Sequence, residues 1–197
     1  GGGCLDAVDH GLTPWGRGLV RELNARGAVP DGSHVGARTT IDMCAGSTGP
    51  VVFSHSNMRA VWDHPRNITD DQARAAADTG GVVGITGVGI FLGPNTPTLS
   101  AMTRHLEHAV EVVGIDHVGV STDFSFDWQT FRAVLATSPD LYDASYTAWG
   151  PVEWMPPETF VDLGAHLRGH GWGDDDIAAV LGGNFRRVAS ESWHPSS

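Results

Sequence analysis

Pro50-Val51-Val52-Phe53-Ser54-His55 is a short β-branched apolar run that ends in polar residues. Such a run reads as a strand buried on both faces, with its polar residues emerging at the C-terminal end. Upstream lies a weak helical stretch, Ala37 to Ala45, and before it the extended run Ala28 to Val35, which again ends in polar residues. Further back, Thr13-Pro14-Trp15 offers a capping hydroxyl and a proline at the first helical position, and Gly27 is placed to end that helix. Downstream the pattern repeats. Thr69-Asp70-Asp71-Gln72 has capping-box spacing, and its Ala-rich helix stops at Gly80-Gly81. Val82 to Thr86 is the third strand. Leu99, Met102, Leu106 and Val113 share one face of a long helix, from which His105 and His108 are expected to point to solvent. His117-Val118-Gly119-Val120-Ser121-Thr122-Asp123 is the fourth strand. Phe124 to Pro157 reads as irregular, and two helices close the chain, Glu158 to Arg168 and Asp174 to about Ser190, the second bent at Gly182-Gly183-Asn184. Strand then helix, four times over, predicts an α/β protein with a parallel sheet. Four units fit a small open sheet or half of an eight-stranded barrel, and periodicity alone does not choose.

Composition narrows the function. The 197 residues carry 23 acidic side chains against 12 basic ones, all Arg, for a formal charge of −11. That balance repels phosphate backbones and anionic membrane surfaces, so nucleic acid is excluded as a partner. The longest weakly polar stretch, Gly80 to Pro94, is too short and glycine-rich to span a bilayer. Cys4 and Cys44 are too few for a disulfide framework and are expected as free thiols. The chain opens on Gly1-Gly2-Gly3 without an initiator Met, so a missing or processed start is expected, and the bacterial cytoplasm is the expected location.

In parallel α/β folds, functional groups gather where strands end. That rule selects His34, His55 and Asp123. Imidazoles on neighbouring strand ends can converge on one metal ion, and a carboxylate beside them can ligate or move protons. The alternative is that they are ordinary hydrogen-bonded residues at a sheet rim. Arg66, in Asp63-His64-Pro65-Arg66-Asn67, could clamp a substrate carboxylate or pair with surface acids. His166 and His170 lack the intervening glutamate of a helical zinc-hydrolase motif, and the glycine runs lack nucleotide-binding spacing. His10, His64, His117 and His194 have no partner readable from sequence.

Seven stretches in order resemble the membrane (renal) dipeptidase family, the M19 metallopeptidases. They are Gly11-Leu12-Thr13-Pro14-Trp15-Gly16, Asp31-Gly32-Ser33-His34-Val35, Phe53-Ser54-His55-Ser56-Asn57, Asp63-His64-Pro65-Arg66-Asn67, Gly114-Ile115-Asp116-His117-Val118-Gly119, Thr122-Asp123-Phe124 and Leu181-Gly182-Gly183-Asn184-Phe185. The resemblance implies a (β/α)8 TIM barrel with a binuclear zinc site that hydrolyses dipeptides through a metal-bridged hydroxide. It implies His34 and His55 as ligands of one zinc, Asp123 as the residue that handles protons, and Arg66 as the group that binds the dipeptide carboxylate. The family's His-x-Asp motif, bridging glutamate and a further active-site histidine are not in this sequence. Residues 1–197 therefore read as the C-terminal half of the barrel, with the N-terminal half absent.

Three expectations follow. Gly32 stands where the family more often has an aliphatic residue, which would loosen that strand, and Phe124-Ser125-Phe126-Asp127 alters one acidic position. A half barrel exposes sheet edges, so the chain is expected to be poorly soluble, a homodimer through those edges, or folded only within a longer chain. Its isolated activity is expected to be lost, because two histidines and one aspartate make a weak zinc site. The alternative from another functional class is a non-catalytic barrel remnant acting as a binding or assembly module.

Overall fold

The computed structural model describes residues 1–138 and 142–193. The first helix, α1 (Pro14–Ala25), begins where Thr13 accepts the Gly16 amide and ends before Gly27 in the left-handed region. After it, α2 spans Ala37–Gly46 and α3 spans Asp70–Asp78; in α3 both halves of the Thr69/Gln72 capping box form. Strand β1 (Val83–Thr86) is followed by the one-turn helix α4 (Gly89–Leu92), the long α5 (Leu99–Val113) and strand β2 (Val118–Ser121). Next come α6 (Trp128–Thr137), α7 (Leu163–Gly169), α8 (Asp174–Ala178) and α9 (Asn184–Ser192). A wide turn with Gly182 at φ 149° joins the last two, which is the bend expected there.

The protein is α/β, and its extended segments run parallel in chain order. Asp31 bridges Val52, Phe53 bridges Val83, and β1 pairs with β2 from Val83–Val118 to Thr86–Ser121. The first two segments, at Asp31 and at Val52–Phe53, make isolated bridges where continuous strands were expected, and side chains explain why. At Ser54 and His55 the backbone amides turn away from the sheet and donate to Asp31 Oδ1 (3.1 Å) and Ser33 Oγ (3.1 Å). The ladder therefore stops where the site begins. Val51, Phe53, Val83, Ile85 and Val118 bury one core with Met102, Leu106 and Ala109 of α5 and Ala73 and Ala76 of α3. Gly32 is not a loose point, because a Cβ there would stand 2.7 Å from the Phe53 ring, which already fills the space.

Three expectations are corrected. Phe124–Pro157 is not wholly irregular: Asp127 caps α6 by accepting the Thr130 amide (3.3 Å). The Glu158–Arg168 helix is instead a 3-10 turn at Pro157–Val161 followed by α7. His105 does not face solvent. It is fully buried, accepts the Met58 amide at Nδ1 (3.1 Å) and faces the Leu92 carbonyl with Nε2 (3.3 Å). His108 is three-quarters buried against Asp70 (2.9 Å). Cys4 and Cys44 are free thiols. No helix among the described residues is long and apolar enough to cross a membrane. His194 lies outside the described residues.

Candidate functional site

His34 and His55 meet. Their Nε2 atoms are 3.0 Å apart, and the two ring planes are tilted by 58°. A chain of hydrogen bonds sets the tautomer of His55. Ser54 Oγ donates to Asp31 Oδ2, so it can only accept from His55 Nδ1, 2.6 Å away. His55 is therefore protonated on Nδ1, and its Nε2 lone pair faces His34. Asp31 is itself held by the Ser33 amide (2.9 Å), a local turn that the Asp31-Gly32-Ser33 triplet encodes.

The electrostatics agree with this geometry. Burial, with repulsion from Arg66 and His55, pulls the His34 pKa down to about 4. Burial also lowers His55, against the opposing pull of Asp123, so both rings are neutral near pH 7. Asp123 stands at the rim beside them. Loss of water raises its carboxyl pKa, and the nearby Arg66 guanidinium, with His55 when that ring is protonated, only partly offsets that. His34 and Asp123 both hold positive φ, 66° and 46°, a conformation that is uncommon outside glycine and is concentrated at functional sites.

Arg66 is not a surface residue. It is 2% exposed and lies beneath His55, with Nη1 donating to Ser56 Oγ (3.0 Å) and Nη2 to the His55 carbonyl (2.9 Å). Its Nε has no partner among the described residues. It lines a small cavity of about 70 Å³ together with Cys4, His34 and Arg59. His64 was left without a partner by the sequence. It is buried, accepts the Arg66 amide at Nδ1 (3.1 Å) and packs edge-on to Phe91. His117 bonds the Gly81 carbonyl (2.8 Å), and His166 stacks with His170 (4.6 Å), away from the site. Sequence reasoning missed Ser54 and Asp31, although the Asp-x-Ser turn was a visible signal for Asp31.

Two neutral imidazoles with converging Nε2 atoms fit two donors of one metal ion. At zinc–nitrogen distances near 2.0–2.1 Å, tetrahedral ligands stand roughly 3.3 Å apart, close to the 3.0 Å here. Among the described residues no third His, Cys, Asp or Glu completes the group. The set falls short of the three protein ligands that a catalytic zinc usually takes.

Converging imidazoles and a carboxylate at the C-terminal rim of parallel strands place the chain with α/β proteins that gather their functional groups where strands end. Residues 3–133 match the description membrane dipeptidase (peptidase family M19). The chain is similar to dipeptidase verJ of Clonostachys rogersoniana, 33% identical over 178 residues, covering 90% of this chain and 41% of that protein. Among solved structures it is similar to an amidohydrolase from Pseudomonas aeruginosa (TM-score 0.82, 30% identity, 97% of this chain, 60% of the other). Another is a metallo peptidase from Rhodobacter sphaeroides liganded with a phosphinate mimic of the dipeptide L-Ala-D-Ala (TM-score 0.73, 25% identity, 94% of this chain, 48% of the other). The chain belongs to the membrane dipeptidase family, and it spans less than half the length of the curated relatives it matches.

Proposed function

We propose that these residues form part of a zinc-dependent dipeptidase site, with the remaining metal donors supplied by residues outside positions 1–197. The observation that carries this reading is the 3.0 Å approach of His34 Nε2 to His55 Nε2, with His55 fixed in the ligating tautomer. A metal at such a site polarises a peptide carbonyl and acidifies water. The chain's own residues do the rest. Asp123, whose carboxyl holds a proton more readily than a solvated one, takes a proton from the attacking water. It passes that proton to the departing amine nitrogen as the C–N bond breaks. Arg66 lines the cavity beside His34, and its buried charge attracts the dipeptide's terminal carboxylate there. The parallel order of Asp31, Val52–Phe53, β1 and β2, with no reversal, supports reading the fold as half of a (β/α)8 barrel.

The incomplete donor set favours a second reading, a non-catalytic module that keeps the fold. Elemental analysis of the purified 197-residue chain and of a version extended upstream separates the two. The dipeptidase reading expects two zinc ions per extended chain, turnover of Ala-Ala, and little zinc in the shorter chain. An extended chain that carries no zinc and leaves Ala-Ala intact would move the non-catalytic reading to the front.

A further inference from the structure

A cavity of about 230 Å³ opens beside His34 and Asp123. Away from those two residues its walls are Val88, Phe91, Phe131, Tyr146, Val152 and Trp154, with Ser125 and Tyr142 completing the lining. These side chains hold one another. Phe131 meets Trp154 and Tyr142 edge-on at 5.4 and 5.9 Å, and Tyr146 meets Phe91 at 5.8 Å. The backbone holds them too. Val88 pairs antiparallel with Trp154, the Met155 amide donates to the Gly87 carbonyl (2.8 Å), and the Glu153 amide donates to Asn95 Oδ1 (3.0 Å). Asn95 also binds the Pro151 carbonyl (2.8 Å), so the loop after β1 and the segment approaching Met155 form one preformed wall.

We infer that this cavity is the pocket for a substrate side chain, and that it selects dipeptides carrying a bulky apolar or aromatic residue. The inference rests on the dipeptidase reading, and it specifies the substrate class. Among the described residues the walls offer no cation and one carboxylate, Asp123, at the site end. A Lys or Glu side chain would enter without a partner and lose its hydration. Burial holds the Tyr146 hydroxyl neutral, its pKa pushed up to about 12, so it adds no charge. Size agrees: an apolar cavity of about 150 Å³ already takes a benzene ring, and this one is larger. Small residues would leave the walls uncovered and forgo the burial that larger ones gain. The basic cavity at Arg66 and this apolar one both border His34, so carboxylate and side chain are recognised on separate surfaces.

The test titrates the 197-residue chain with Ala-Phe, Phe-Ala, Ala-Ala, Ala-Glu and Ala-Lys, following the ligand-dependent change in tryptophan emission that Trp154→Phe should abolish. At least one of the two Phe-containing dipeptides is expected to bind about tenfold or more tighter than Ala-Ala, and the charged dipeptides no better than Ala-Ala. Phe131→Trp narrows the cavity and should collapse that ratio towards one. Tyr142→Ala widens it and should improve binding of Ala-Trp relative to Ala-Phe, which keeps the idea testable if the first variant misfolds. Equal binding of Ala-Ala and both Phe dipeptides, charged dipeptides that match them, or no binding at all overturns the inference. The dipeptidase reading fails separately: an extended, zinc-loaded chain that binds Phe dipeptides selectively but cleaves none sinks that reading and leaves the pocket assignment standing. Cleavage without selectivity does the reverse.

Discussion

His55 owes its usefulness to two neighbours that do no chemistry themselves. Ser54 and Asp31 fix its tautomer through a two-step relay, and partners of this kind orient a ligating imidazole and sharpen its affinity for metal. Asp31→Asn should weaken zinc binding by the extended chain about 10- to 100-fold in competition with a chromophoric chelator, and Ser54→Ala should do the same. An unchanged affinity in both would remove the relay from the argument. His105 makes a separate residue-scale case. Burial lowers its pKa to about 4, and its Nδ1 must stay unprotonated to accept the Met58 amide. The folded state therefore prefers the neutral ring while the unfolded chain protonates near 6.5. Its contribution is fully present above pH 6.5 and is lost as pH falls towards 4. Between pH 7 and pH 5 that loss is on the order of 2 kcal/mol. Urea midpoints at the two pH values should converge in His105→Gln relative to the unsubstituted chain; an identical pH response in both would show that the ring does not titrate on unfolding.

At the scale of elements, the helices and strands announce themselves where local chemistry is strong. Thr69 and Gln72 form the reciprocal cap that their spacing predicts, and Thr69→Ala should cost about 1 kcal/mol, read as a lower urea midpoint at constant m. Gly81 is as plain in the structure but silent in the sequence beyond a helix stop. A Cβ there would stand 1.8 Å from the Val51 carbonyl oxygen, and backbone cannot swing aside as a flexible side chain can. Gly81→Ala should cost at least about 1–3 kcal/mol, and a stable variant with an unchanged midpoint would contradict this close approach. The same contrast explains what was legible. Alternating strand and helix signals gave the α/β order, and strand-end polarity singled out His34, His55 and Asp123, the first two of which the fold brings into contact. Helix α6 was hidden because Trp128, Thr130, Phe131 and Val134 are weak helix formers, and only the Asp127 cap marked its start. His105 was misplaced because a histidine at the margin of an apolar stripe looks solvent-facing. Its burial depends on an amide donor 47 residues away, a contact that no local pattern encodes. The buried position of Arg66 was equally out of reach, since Ser56 and the His55 carbonyl claim its guanidinium only once the loop after His55 folds back.

At the scale of the molecule, the stretch Leu181-Gly182-Gly183-Asn184-Phe185 carries no chemistry of the site, yet it ties the C-terminal helix to the floor of the sheet. Asn184 Nδ2 donates to the carbonyls of Ile115 and Val118, both at 2.7 Å. The Phe185 ring lies in the space that Cβ atoms on Gly84 and Gly119 would need, so the two glycines of β1 and β2 make room for it. One turn later, Arg187 binds the Gly80 and Asp116 carbonyls, each at 2.9 Å. Helix α9 thus satisfies backbone acceptors at the start of both strands, at the end opposite His55 and Asp123. The left-handed residues His34 and Asp123 sit at the other end, on the rim. Asn184→Leu keeps the side chain's approximate volume and deletes both donors. It should cost about 1–3 kcal/mol for the Val118 carbonyl left buried and unpaired, because the Ile115 carbonyl keeps the Val118 amide, seen as a lower urea midpoint. Selectivity between Ala-Phe and Ala-Ala should persist in the folded fraction, because the deleted bonds lie across the sheet from the cavity. A variant as stable as the parent would mean that water or α9 itself already satisfies the Val118 carbonyl, and the C-terminal stretch would then need another reason for its place in the fold.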